Sequence, residues 1–131
     1  MEAIAKLRNV PTSPRKARLV ADLVRGKQVF QALSLLKYQP QHSAIDIGKV
    51  LRSAIANFEQ KFPDMGVEDL YIKHITVDEG RMLKRIIPAP QGRAHRIRKR
   101  SNHITVIVAN LPGSINLDVN ENEVALNTSN Q

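Results

Sequence analysis

The chain opens on an alternation. In EAIAKLRN, Ala3, Ala5 and Leu7 interleave with Ile4, Lys6 and Arg8, the two-residue period of a short strand with one face toward a core. The period then changes. VPTSPRKARLVADLVRG sets Ala17, Val20, Ala21 and Val24 at helical spacing. Ser13 is placed to cap the open backbone N–H groups, Pro14 to take the first helical position and Gly26 to end the helix. Arg15, Arg18, Asp22 and Arg25 form a second stripe, whose basic members this reading leaves free for a partner. QVFQALSLLKYQP predicts a shorter helix, with Val29, Ala32, Leu33 and Leu36 in phase before Pro40 closes it. From about Gln41 to Phe62 runs the longest periodic segment. Ile47, Leu51, Ala54, Ile55, Phe58 and Phe62 fall on one side, so this third helix is expected to supply most of the core. After a break from Pro63 to Gly66, DLYIKHITV and NHITVIVA are rich in β-branched residues and predict two more strands.

Between those strands lies GRMLKRIIPAPQGRAHRIRKR, Gly80 to Arg100. Pro88, Pro90 and Gly92 stand near its middle, so its simplest form is an extended hairpin with turn chemistry at the tip. At about 3.3 Å per residue, strands of roughly ten residues carry such an arm about 35 Å from the sheet. From Arg81 onward it holds eight Lys or Arg residues, one His and no carboxylate. A two-stranded ribbon is marginal in water, and like charges facing each other across it repel. Met82, Leu83, Ile86, Ile87 and Ile97 are too few to build a core that far from the domain. The arm therefore needs surroundings.

Composition narrows what those surroundings are. The 131 residues fit one domain, and their net charge of +8 with a pI near 10.2 favours a polyanionic partner. Residues 111–131 contain three acids and no base, so residues 1–110 hold 20 bases against 9 acids, a balance of +11. The domain is accordingly assigned to residues 1–110, with the arm at about 80–103. The acidic, Asn-rich segment 111–131 is expected to be poorly ordered. The absence of cysteine excludes a disulfide framework, a thiolate metal site and a thiol nucleophile. His42, His74, His95 and His103 lack metal-ligand spacing. Glu68-Asp69 and Asp78-Glu79 are sequence neighbours, which point to opposite faces of a strand and suit turns and strand ends rather than paired acid/base work. Gly26-Lys27 has no glycine-rich loop before it. The expectation is a chain with no catalytic residue, no metal and no cofactor. No apolar run reaches bilayer length, so it also reads as soluble and unexported, without membrane insertion.

Structured RNA suits the arm best, because folded RNA presents phosphates from several directions to arginine forks while a ribbon threads between helices. The arm has no Phe, Tyr or Trp on which to stack bases, so it is expected to read phosphates and shape. The candidate contacts on the arm are Arg81, Lys84, Arg85, Arg93, His95, Arg96, Arg98, Lys99 and Arg100. On the domain they are Lys6, Arg8, Arg15, Lys16, Arg18, Arg25 and Lys27. The alternative is a helix-turn-helix DNA-binding regulator built on the first two helices. Its reading helix would offer Gln28, Gln31, Ser34 and Lys37 but no arginine.

Four strings carry a resemblance: SPRKARLVADLVRGK (Ser13 to Lys27), LRSAIANFE (Leu51 to Glu59), VDEG (Val77 to Gly80) and LKRIIPAPQGRAHRIRKRSNHITV (Leu83 to Val106). Over about residues 3–110 the chain closely resembles the bacterial-type family of large-ribosomal-subunit protein twenty-two. The resemblance implies an α+β fold, with three helices packed on a small three-stranded antiparallel sheet and a long protruding β-hairpin. It also implies a cytoplasmic, architectural protein of the large ribosomal subunit that binds and organises large-subunit rRNA during assembly. Its hairpin tip, Leu83, Lys84, Arg85, Pro88, Ala89, Pro90, Gln91, Gly92, Arg93 and Ala94, would line the nascent-peptide exit tunnel. Partners implied there are ribosomal protein number four, at the tunnel constriction, and the nascent peptide in passing. Leu83, Lys84 and Arg85 match the family segment associated with altered response to macrolide antibiotics. The tip departs from the family pattern at Ala89 and Gln91, which stand where relatives often carry bases.

Overall fold

A computed structural model describes residues 1–110; the acidic segment 111–131, expected to be poorly ordered, lies outside the described residues. Five strands and three helices follow in the order β1 (Glu2–Val10), α1 (Pro14–Val24), α2 (Val29–Tyr38), α3 (Ser43–Lys61), β2 (Leu70–Glu79), β3 (Leu83–Pro88), β4 (Ala94–Lys99) and β5 (Asn102–Asn110). The last strand is the central one. β5 pairs antiparallel with β1 on one side and with β2 on the other, giving the sheet order β1-β5-β2.

The register shows why the alternation of β1 and β5 matters. Ala3, Val108 and Ile72 lie in one row across the sheet, Ala5, Val106 and Ile75 in the next, and Leu7, Ile104 and Val77 in the third. All except Leu7 are buried, and Leu7 packs at the margin of the core. Ile72 and Ile75 are three apart, which a regular strand would send to opposite faces. A register shift between Ile72 and His74 restores the phase, because one extra residue there returns Ile75 to the core side.

All three helices cover that face. Ala17, Val20, Ala21 and Val24 of α1 are fully buried, as the spacing predicts. Helix α2 buries Val29, Ala32 and Leu36. Helix α3, 19 residues and so about 28 Å long, buries Ile47, Leu51, Ala54 and Phe58, while Ile55 and Phe62 pack at the core edge. The Phe58 and Phe62 rings meet with centroids 5.1 Å apart. Truncating Phe58, the largest fully buried side chain, would cost about 3–5 kcal/mol through forfeited transfer energy and the cavity left behind.

One local expectation fails at α1. Ser13 occupies the N-cap, but its side chain makes no capping hydrogen bond; only its carbonyl accepts, from the Ala17 N–H at 3.1 Å. Pro14, at the first helical position, removes one of the open N–H donors of the helix start and presets its φ, so the helix begins there without a side-chain cap. Gly26 does end the helix as expected, in the left-handed region at φ 76°.

Both outer edges of the sheet are occupied by helix side chains. On β1, the Ile4 carbonyl accepts from Asn57 Nδ2 at 3.0 Å and the Glu2 carbonyl from Lys61 Nζ at 3.2 Å. On β2, the Val77 carbonyl accepts from Arg18 Nε at 3.1 Å and the Ile75 carbonyl from an Arg25 Nη at 3.0 Å. In each case the carbonyls are two residues apart, the repeat at which an edge strand turns its acceptors outward. These contacts blunt edges that would otherwise be templates for strand addition. They also correct the expectation that the basic stripe of α1 is free throughout, because Arg18 and Arg25 each serve the sheet.

Candidate nucleic-acid interface

The segment between β2 and β5 forms the expected hairpin. β3 pairs with β4 from Leu83↔Lys99 to Pro88↔Ala94, and the two strands pack mainly on each other. Every residue of β3 is exposed, and of β4 only Ile97 is half-buried. The tip is a single 3₁₀ turn, Pro90–Gly92, closed by the Ala89 N–H donating to the Arg93 carbonyl at 2.7 Å. Gln91 and Gly92 both take positive φ, 65° and 69°, so one of the two left-handed positions is held by a residue that is not glycine.

Alternation and register together assign the arm's two faces. One carries Lys84, Ile86 and Pro88 opposite Arg98, Arg96 and Ala94; the other carries Leu83, Arg85 and Ile87 opposite Lys99, Ile97 and His95. Each face thus mixes cations with aliphatic side chains. Lys84 stands directly across from Arg98, a like-charge pair that weakens the ribbon by itself. Among the described residues, ion pairs join Arg25 to Asp22 and Lys73 to Glu2, and none involves the arm. Beyond the pairing of its own two strands, the arm's charges have no ion-pair partner among the described residues, and most of its apolar groups are exposed.

The root of the arm is built differently. The Gly80 N–H donates to the Ser101 carbonyl at 2.9 Å, and the Ser101 hydroxyl donates to the Arg81 carbonyl at 2.6 Å. A Cβ on Gly80 would stand 2.5 Å from that hydroxyl oxygen, so only glycine fits beneath it without rearrangement. Next to this brace, Asn102 is fully buried, and its Nδ2 donates to the Thr12 carbonyl at 2.8 Å and to the Thr12 hydroxyl at 2.7 Å. Its Oδ1 has no partner among the described residues. The arm therefore leaves the domain through a tight joint tied to the turn before α1. Nothing in the sequence marks Ser101 and Asn102 for this, although Asn102 falls in phase with the buried Ile104, Val106 and Val108.

The domain cations do not form one patch. Lys6 and Arg8 lie on the open face of the sheet, in a shallow cleft with Asn9, Asp78, His103 and Thr105. His103 has a structural task there, its Nδ1 accepting the Asn9 N–H at 3.1 Å where Asn9 takes φ 59°. Arg15 and Lys16 are exposed on the first turns of α1. Among the described residues the Arg18 Nη groups have no partner beyond the Nε contact with Val77, whereas both Nη groups of Arg25 are engaged, by Asp22 and by Ile75. Lys27 is half-buried, and its carbonyl accepts the Ile72 N–H at 3.0 Å. Among the described residues, the one cation outside the expected set with a defined ion-pair partner is Lys73, joined to Glu2 across the sheet. That contact holds the Glu2 carboxyl below its ordinary value and raises the Lys73 ammonium above its own.

Among the described residues no cluster of His, Cys, Asp or Glu is arranged to hold a metal, and no helix is long and apolar enough to cross a membrane. Helix α2 turns Gln31, Ser34 and Lys37 outward, and the Ser34 hydroxyl is bonded back to the Phe30 carbonyl.

Comparison with known proteins gives one consistent result. The family model described as Ribosomal protein L22p/L17e matches residues 5–109. The chain is 56% identical over 116 residues to the large ribosomal subunit protein uL22 of Flavobacterium psychrophilum, covering 87% of this chain and 82% of that protein. It is 56% identical over 110 residues to its counterpart in Chlorobium phaeobacteroides, covering 82% of this chain and 94% of that protein. The same protein of Bacteroides thetaiotaomicron is 56% identical over 105 residues, covering 79% and 77%. The matched span runs from within β1 to within β5 and takes in the three helices, β2 and the whole arm.

Proposed function

The chain belongs to the ribosomal protein L22p/L17e family, and from that membership we propose that it works as a structural, non-enzymatic constituent of the large ribosomal subunit. Its place is the cytoplasmic ribosome, and its partners are rRNA and neighbouring ribosomal proteins. The arm organises large-subunit rRNA during assembly. Its tip, Leu83 to Arg85 and Pro88 to Ala94, lines the exit tunnel, near ribosomal protein number four and in passing contact with the nascent peptide.

A single observation carries this reading: the β3–β4 ribbon presents cations on both faces, with no carboxylate in register and no ion pair among the described residues. A protein surface that docks on one flat partner concentrates its charge on one side. Charge on both sides fits an element enclosed by polyanion, and rRNA packed around a ribbon supplies phosphates in every direction. The aliphatic residues interleaved with the cations support the same picture. Ile86 is 69% exposed, and it gains burial only when bases and riboses close over it. Lys6, Arg8, Arg15, Lys16 and Arg18 extend the contact over the domain, with smaller shares for Lys27 and for Arg25, whose guanidinium is already engaged. Nothing in α2 favours the helix-turn-helix alternative, since its outward residues lack the arginines that read base edges.

The test is co-sedimentation. Tagged chain expressed in cells should migrate with large subunits after a moderate salt wash, and a variant lacking residues 83–99 should be lost from them. A chain found free or on duplex DNA under the same wash would overturn the proposal.

A further inference from the structure

A cleft of about 580 Å³ opens where the arm meets the domain, lined by Ser13, Pro14, Arg15, Arg18, Glu79 and Arg100. Its three arginines come from two places far apart in sequence, α1 and the end of the arm, and converge because the joint at Gly80, Ser101 and Asn102 holds the arm's root against the turn before α1. Arg18 is fixed in direction by its Nε contact with Val77. One carboxylate, Glu79, stands among them, and it forms no ion pair with any of the three. Glu79 is exposed and lines the same cleft as the three arginines without pairing to any of them, which leaves room for a ligand between carboxylate and cations. Phosphate alone would satisfy the arginines and repel Glu79; a group that combines a phosphate with a hydroxyl donor satisfies both.

We propose that this cleft is a discrete site for a ribose-phosphate unit of RNA backbone, with Arg15, Arg18 and Arg100 taking the phosphate and Glu79 accepting from the ribose 2′-hydroxyl. The proposal rests on the reading of the chain as an RNA-binding protein and adds to it a place where RNA is told from DNA. Guanidinium forks suit phosphate oxygens, and the 2′-hydroxyl is the donor that deoxyribose lacks. The site also sits at the joint, so RNA held there pins the direction in which the arm leaves the domain.

The experiment follows the arginine Nε–Hε signals of the full-length chain by NMR while adenosine 3′-monophosphate, or its 2′-deoxy counterpart, is added. Saturable shifts at Arg15 and Arg100 are expected, with the ribonucleotide bound about threefold or more tightly, the effect of one hydrogen bond. Glu79→Gln should remove most of that preference, and Arg15→Ala or Arg100→Ala should abolish saturation. The Arg18 signal, held by Val77, reports that each variant remains folded. Equal binding of the two nucleotides, or a preference unchanged in Glu79→Gln, overturns the assignment of Glu79. No saturable shift at these arginines, in a chain that still binds large-subunit rRNA, overturns the site and leaves the broader reading standing. Failure to bind rRNA at all overturns that reading itself.

Discussion

Replacing Gly80 by alanine tests the joint with the smallest available perturbation. The added methyl would lie 2.5 Å from the Ser101 hydroxyl oxygen, 3.2 Å from the Ser101 carbonyl carbon and 3.3 Å from the Asn102 nitrogen. The hydroxyl must rotate away and give up its bond to the Arg81 carbonyl, at a cost of about 1 kcal/mol. The two backbone approaches are tighter than ordinary packing and add overpacking strain of about 1–3 kcal/mol. Against this, alanine restricts the unfolded chain and returns about 0.4–1 kcal/mol. The net expectation is a destabilisation of about 1–3 kcal/mol, read as a lower urea midpoint by circular dichroism with an unchanged slope. Ser101→Ala alone should cost about 1 kcal/mol or less, because the Arg81 carbonyl is left to water. The double variant is the decisive one. With the hydroxyl already gone, the worst clash is absent, so the two changes together should cost less than their sum by about 1 kcal/mol. Additive costs would mean that the methyl and the hydroxyl do not compete for one space, and the account of the joint would fail.

Affinity for large-subunit rRNA should fall steeply with salt, and Lys84→Ala with Arg85→Ala should flatten the log–log slope by roughly 1.5, the share that two neutralised phosphates supply; an unchanged slope would mean that those residues touch no phosphate. The same pair should disturb macrolide response more than Gln91→Ala, which removes no charge, and equal effects would refute that ranking. Amide protons of β3 and β4 should exchange early in the isolated chain and late within the large subunit, whereas equal protection in both states would show that the ribbon stands by itself. The Glu2–Lys73 pair stabilises the fold only while both groups are charged: with the Glu2 carboxyl held below its ordinary 4.5, the contribution is present above that value and disappears as pH falls through the lowered one. With Lys73 raised above 10.5, it is present below that value and disappears as pH rises further. Both residues are exposed, so Glu2→Gln should remove a small acid-limb dependence from urea midpoints measured between about pH 6 and pH 3, and a larger change would contradict the exposure.

Where each element lies was legible because its period is clean. Ala17, Val20, Ala21 and Val24 could suit only one face of a helix, and the proline-rich centre of the basic run could hardly be anything but a tip. The resemblance added the sheet and the number of its strands, which periodicity alone leaves open. What stayed hidden depends on groups that sequence does not orient. The phase slip at Lys73 shows only once Ile72 and Ile75 are both seen in the core. Arg18 and Arg25 look like solvated charge until β2 is placed beside α1 and its carbonyls need donors. Asn102 sits at a position where alternation predicts burial, and an amide there reads as an error unless Thr12 is known to be within reach. The root cleft joins Arg15 to Arg100, 85 positions apart, and no spacing rule connects them.

The central place of β5 has a consequence for biosynthesis. β1 and β2 each find their only long pairing partner in the strand that comes last among the described elements. During translation, both must wait unpaired while the arm is made, and the sheet can close only after about residue 110 has cleared the ribosome that is producing it. A newly made chain thus completes its cationic ribbon before its own hydrophobic layer is sealed, and anionic company met at that moment competes with folding rather than following it.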